Sequence, residues 1–180
     1  MARISHPAFI MGTLCGRVRM LEDINEKLRY VGERNGLSWL QLDAQGVCGA
    51  QTQAGIKWRI EWPQASPWLL FLAELDEAPE RNDDLLALYE LCQTLNFPGP
   101  ECLLGSVSIK PGGRFVYLHY RHEIENLHAI KLEELLNQFL ADAALARERI
   151  QTVKRGQTGA GEGGLSRSRE APPMQIYMNV

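Results

Sequence analysis

The residues of this chain best suited to chemistry are its four cysteines, its four histidines and a run of carboxylates, and their spacing brings few of them together. His119 and His122 stand three apart in a stretch of alternating polarity. As strand residues they point to opposite faces and cannot share a metal. His128 falls in a loop before the last helical stretch, with no carboxylate–metal context around it. Cys15, Cys48, Cys92 and Cys102 form no C-x-x-C pair, which argues against a zinc site or a redox couple. Glu74, Asp76, Glu77 and Glu80 lack the spacing of a calcium loop and read as a solvated acidic segment. The glycines of residues 159–164 are superficially like a dinucleotide loop, but a working one follows a strand and opens a helix, and these sit in a low-complexity tail. Ser106 and Ser108 belong to a strand without a strained G-x-S-x-G elbow. The expectation is a protein with no catalytic residue, no metal and no cofactor. A hydrolase or transferase with an unseen site is the remote alternative.

Apolar and aromatic residues on short strands are the more distinctive feature. Ile56, Trp58, Ile60 and Trp62 alternate with Lys57, Arg59 and Glu61, which is the pattern of a strand with one buried face. Trp68 to Leu72 is apolar on both faces, as in a strand covered on both sides or one whose second face awaits a partner. Packing explains the tryptophans, yet a sheet with three helices cannot easily hide Trp39, Trp58, Trp62, Trp68 and Phe71 together. Core and interface both stay open for each.

Around these strands the periodicity predicts three helices. Val18, Leu21, Ile24, Leu28 and Val31 form one stripe of a first helix over 18–30, with Phe9, Ile10 and Leu14 able to extend it backward and Asn35-Gly36 as its stop. A second helix opens at Asp83-Asp84, with acids at the positive end of its dipole, and carries Leu85, Leu88, Leu91, Cys92 and Leu95, broadened by Leu86 and Tyr89. A third runs over 131–150 with Leu132, Leu135, Leu136, Phe139, Ala143 and Ala146 inward. Between the last two, Val107 and Ile109 enter a hairpin through Lys110-Pro111-Gly112-Gly113, and the return strand sets Phe115, Tyr117 and His119 against Val116, Leu118 and Tyr120. The fold class is therefore α+β: helix, three strands, helix, two strands, helix, with an antiparallel sheet. Residues 1–17 read as an N-terminal extension, 18–153 as the domain and 154–180 as a disordered tail holding one apolar island, Pro172 to Met178.

At 180 residues, with 45% hydrophobic and 23% charged residues, one globular core is expected. No apolar run approaches the roughly 18 residues of a membrane span, and Met1 to His6 lacks a secretion segment, so a cytosolic protein is expected. Residues 20–150 hold 12 Lys/Arg and 20 Asp/Glu, a balance of −8, while the flanks hold 7 and 2, a balance of +5; together they give −3. An acidic body repels nucleic-acid phosphates. The apolar surplus of the second helix and the Val107–Ile109 strand predicts a homodimer, with Leu88, Tyr89, Cys92, Val107 and Ile109 as seam candidates.

The order of elements resembles the class I type III secretion chaperones, the Tir chaperone (CesT-like) family of small acidic dimers. The resemblance runs over about residues 18–150. It is carried by the first helix ending at Gly36-Leu37, by Leu40-Gln41-Leu42-Asp43-Ala44-Gln45-Gly46-Val47-Cys48, by the 56–62 and 68–75 strands, by Leu85 to Asn96, and by the hairpin with Leu135 to Ala143. It implies an α/β sandwich in the bacterial cytoplasm that dimerises and binds the extended N-terminal segment of one or more type III effectors. That segment is kept non-globular for the secretion ATPase, and no ATP is used. On this reading Leu28, Leu40, Leu42, Ile56, Trp58 and Ile60 are the expected effector-binding residues. The N-terminal extension and basic tail exceed the usual compact size and leave open whether it serves one effector or many, as the HpaB-like broad-specificity chaperones do. A regulatory binding module of the same fold, such as an anti-activator partner, is the alternative.

Overall fold

The structure, a computed structural model, describes residues 8–63, 66–99, 102–110, 112–156 and 176–177. The elements follow in the order α1 (Ala8–Arg34), β1 (Val47–Thr52), β2 (Lys57–Glu61), β3 (Trp68–Glu77), α2 (Asn82–Asn96), β4 (Ser106–Ile109), β5 (Phe115–Glu123), α3 (Ala129–Lys154) and β6 (Ile176–Tyr177). Helix, three strands, helix, two strands, helix is the expected order, with one short strand added at the end. All pairings are antiparallel, and the sheet runs β4-β5-β3-β2-β1-β6.

The alternating strands make one face of this sheet the core. Leu69, Phe71, Ala73 and Leu75 of β3, Trp58 and Ile60 of β2, and Val116 and Leu118 of β5 are all buried on it. Helix α3 packs against β3 and β5, and α1 and α2 pack against α3. The buried side of α3 is the stripe the periodicity predicts, from Leu132 through Phe139 to Ala146, extended to Ile150. Phe71 and Phe139 meet across that interface with ring centroids 5.8 Å apart, a tilted pairing favoured by the ring quadrupoles.

Three expectations change. The first helix does not start at 18: α1 begins at Ala8 and passes through Gly12 and Gly16, so residue 17 marks no element boundary. A single glycine inside a helix costs only about 1 kcal/mol against alanine and need not end it. Val18, placed by periodicity on the buried stripe, is exposed. The segment around Trp39 to Leu42 is not strand; its backbone is held instead by Asn25 of α1, whose amide accepts from Leu42 N at 2.7 Å and donates to Leu42 O at 3.1 Å. Leu37 can turn back against α1 because position 32 is glycine, where a Cβ would meet Leu37 O at 2.3 Å. Lastly, the tail expected to be disordered from residue 154 supplies a strand at Ile176–Tyr177; the rest of the Pro172–Met178 island lies outside the described residues.

The one buried charged side chain in the described core is Asp142 on α3. It accepts hydrogen bonds from Leu104 N at 2.5 Å and Gln138 Nε2 at 2.7 Å, which fixes the turn entering β4. Asp142→Ala strips a buried backbone N–H of its acceptor and should lower stability by about 1–3 kcal/mol. Urea unfolding should report that loss, whereas an unchanged midpoint would show that the turn finds another acceptor.

Candidate functional site

Chemistry-bearing groups stay apart in the fold. His122 pairs with Leu69 on the core face and His119 with Leu72 on the other, as their spacing requires. His122 Nδ1 lies 2.9 Å from the Tyr120 hydroxyl, and burial holds its pKa below the ordinary histidine value, with Lys131 adding to the effect. Burial pushes the Cys48 thiol up to about 12 and raises that of Cys92. A thiol so shifted supplies almost no thiolate nucleophile near neutral pH. Among the described residues no group of three or more His, Cys, Asp or Glu could hold a metal ion.

The six expected effector contacts are core residues. Leu28, Leu40 and Ile60 are 0% exposed, Ile56 1%, Trp58 3% and Leu42 4%. The correction has a simple cause: the alternation that marked Ile56, Trp58 and Ile60 as apolar is the signature of the face under the helices, and the same chain leaves no groove there. Leu28 and Leu40 pack in the same core, where the 37–42 segment is bound down by Asn25. The dimer candidates divide. Leu88, Cys92 and Val107 are buried within one chain, while Tyr89 is exposed and Ile109 half-buried. Leu86 at 61% and Phe97 at 73% exposure join Tyr89 along the outer side of α2, and sequence reasoning had put neither at the seam.

Two other surfaces leave apolar side chains or backbone groups open. One is the sheet face opposite the helices, where Trp68, Leu70 and Leu72 of β3 are half-buried. Trp68 carries the Arg121 guanidinium over its ring at 5.0 Å, and the register brings Leu70 between Glu61 and Arg121 and Leu72 between Arg59 and His119. Here the doubly apolar stretch finds its second face, an apolar strip bordered by charge. Trp58 and Trp62 are core, Trp39 is half-buried against the core, and Trp68 alone lies on this strip.

The second surface is the side of β1 turned away from β2, which among the described residues meets only the short β6 at Gln51 and Thr52. Its sequence, Val47-Cys48-Gly49-Ala50-Gln51-Thr52, carries no charge and no proline, the devices that ordinarily protect a sheet edge. Thr52 N donates to Ile56 O and Trp62 N donates to Gly46 O, so the even positions bond inward to β2. By the alternation of an antiparallel ladder, Val47, Gly49 and Gln51 turn their N–H and C=O outward. Val47 is satisfied locally, its N–H by Asp43 Oδ1 and its C=O by Asp43 N, both at 2.9 Å. Gly49 is exposed, with no side chain to obstruct an approaching backbone. At the opposite edge Asn96, at the end of α2, donates to Val107 O at 2.9 Å and accepts from Val107 N at 2.7 Å, acting as one rung of a missing strand. A six-residue strand of small residues is the signal that could have revealed this site, but its alternation is too weak to stand out.

Comparison with protein families finds that residues 27–147 match the Tir chaperone protein (CesT) family. No curated protein matches the chain. Among solved structures, the HopA1-SchA chaperone-effector complex contains a chain that is 16% identical with a TM-score of 0.51, covering 77% of this chain and 97% of that one. The ExoU-SpcU complex of the Pseudomonas aeruginosa type III secretion system gives 17% identity and a TM-score of 0.52, over 72% of this chain and 96% of that one. The Yersinia pestis type III secretion chaperone SycH, in complex with a fragment of YscM2, gives 12% and 0.50, over 68% and 98%. At these identities the likeness establishes the fold.

Burial dictates different outcomes for charges at the two kinds of position. Ile60→Asp or Leu28→Asp places a carboxylate in a dry core and should abolish cooperative folding. His119→Ala, on the open face, should keep the melting temperature within a few degrees. Circular dichroism melts decide this; a folded Ile60→Asp protein would mean that the β2 face is open to solvent.

Proposed function

The chain belongs to the Tir chaperone protein (CesT) family, and from that premise we infer that it is a type III secretion chaperone. It binds the extended N-terminal segment of effector protein, keeps that segment soluble and non-globular, and works without catalysis or cofactor in the bacterial cytoplasm. The family match over residues 27–147 carries this reading. The uncharged strand β1 near the border of the sheet, beside an apolar strip, supports it from the physics. Among the described residues no helix is long and apolar enough to cross a membrane.

In this proposal the client adds as a strand to β1. Its backbone pairs with the outward N–H and C=O of Gly49 and Gln51, and alternate side chains reach the sheet's apolar surfaces. Main-chain pairing is indifferent to side-chain identity, so one edge accepts clients of differing sequence. Apolar burial at roughly 25 cal/mol per Å² offsets the order imposed on the segment. The six core residues act through the shape of the sheet rather than by touching the client. We also place the homodimer seam on the outer side of α2, where Leu86, Tyr89 and Phe97 are exposed, with Ile109 at its margin. Transfer to the secretion ATPase belongs to the same proposal.

Gln51→Pro removes an outward N–H without touching the bonds between β1 and β2, and proline is tolerated on an edge. The variant should fold and lose about tenfold in affinity for an effector's N-terminal segment, near 1.4 kcal/mol. Fluorescence titration with that segment measures it; full affinity in Gln51→Pro would sink the β1 assignment. Leu86→Asp combined with Tyr89→Asp should convert a dimer of twice the 20.3 kDa chain mass into a folded monomer by light scattering. A wild-type protein of 20.3 kDa at micromolar concentration would refute the dimer.

A further inference from the structure

The outward edge of β1 is already partly occupied. Gln51 pairs with Tyr177 and Thr52 with Ile176, antiparallel, so the end of this chain forms the sixth strand of its own sheet. Because Gln51 turns outward, it and Tyr177 are the pair that exchanges both hydrogen bonds. Gly49, two positions along, has no partner among the described residues. We propose that the C-terminal segment around Ile176–Tyr177 is a built-in competitor for the client edge, displaced when an incoming strand takes over the outward backbone of Gln51. This rests on the chaperone reading of β1 given above.

Several observations make the segment suitable. Lys154, the last residue of α3, donates to Asp76 Oδ1 at 2.9 Å and to Glu77 O at 3.1 Å. The register sets Lys57, at the start of β2, beside Glu74 near the end of β3, so α3 ends at the same end of the sheet as the β1–β2 turn. Arg147 of α3 also donates to Ala54 O in that turn. From β3 across β2 and β1 to β6 is three strand spacings, about 15 Å. The connection from Gly156 to Ile176 comprises residues 157–175 and can span up to about 60 Å, so nothing in its length strains the pairing.

In sequence the segment is client-like. Met174, Ile176, Met178 and Val180 alternate with Gln175, Tyr177 and Asn179, and Pro172-Pro173 precede them. Residues 151–180 carry four Lys/Arg and two Asp/Glu, a balance of +2 against the −8 of residues 20–150. Tethering supplies an effective concentration of order millimolar, enough for a weak pairing to hold the edge yet yield to a longer strand. Such a competitor discriminates against short or poorly matched segments and covers an aggregation-prone edge when no client is present.

The test uses the full chain with Tyr177→Pro, which deletes the N–H that reaches Gln51 O. Hydrogen exchange of the Gln51 amide should quicken at least about tenfold in the variant, while the Thr52 amide, bonded to Ile56 O, keeps its protection. Equal Gln51 exchange in both proteins overturns the proposal without reference to any client. A labelled peptide of residues 171–180 should bind Tyr177→Pro roughly threefold or more tighter than wild type, because the competent edge is no longer shared. Equal affinity, or no binding to either, also overturns it. An effector segment lost by Gln51→Pro but bound equally by wild type and Tyr177→Pro would leave the chaperone reading standing and remove the competitor.

Discussion

Every backbone N–H and C=O along a sheet needs a partner, and at the two edges that requirement falls on groups outside the sheet. This protein meets it differently on its two sides. At β4, only four residues long, the amide of Asn96 on α2 bonds both backbone groups of Val107. At β1 the turn of Asp43 closes Val47 and β6 pairs with Gln51 through Tyr177, leaving Gly49 without a partner among the described residues. The asymmetry gives the sheet a direction of growth. A strand can be added beside β1 without disturbing the ladder to β2, because the two sets of backbone groups belong to alternate residues.

Side-chain packing enforces the same separation. One face of the sheet is sealed by α3, so its apolar residues are committed to folding and withdrawn from recognition. The other face keeps Trp68, Leu70 and Leu72 half-exposed, held in solution by Arg59, Glu61 and Arg121 around them. The bulge between Glu74 and Asp76 lets β3 continue its pairing with β5 past the acidic stretch. Lys154 of α3 reaches Asp76 there, tying the end of the last helix to β3.

The helices were legible because their apolar stripes are long and the core uses them as written: the α3 stripe from Leu132 to Ala146 is buried residue for residue. β2 and β5 were legible for the equivalent reason, a clean period of two. What the sequence hid is the division between apolar residues that fold the chain and apolar residues that face outward. Trp58 and Trp68 look alike in sequence, yet one lies beneath helices and the other beside Arg121. Hydrophobicity reports that a residue leaves water but not which surface it leaves water for. The proposed binding edge was harder still, since backbone groups would carry recognition there and Gly49 announces nothing. The tail misled for a related reason. Glycine, serine and arginine around it argue against a core, but a strand on an edge needs only two bonded residues and borrows the sheet's order.

A binding site made of backbone has consequences for specificity. Side-chain pockets discriminate by shape, whereas a ladder accepts any chain able to lie extended, so selectivity must come from elsewhere. Length is one source, because a longer strand adds backbone bonds along the edge. Charge is another: the −8 balance of residues 20–150 weakens the approach of acidic segments and favours neutral or basic ones. The alternating apolar strip beyond β2 supplies a third, rewarding clients whose apolar residues recur at every second position. None of these fixes a single sequence, and all are relaxed in an unfolded segment. A folded competitor has already used its backbone groups internally and cannot present a free strand. In the proposed function the edge would therefore recognise the unfolded condition of its client as much as its identity, which is the property a secretion chaperone requires.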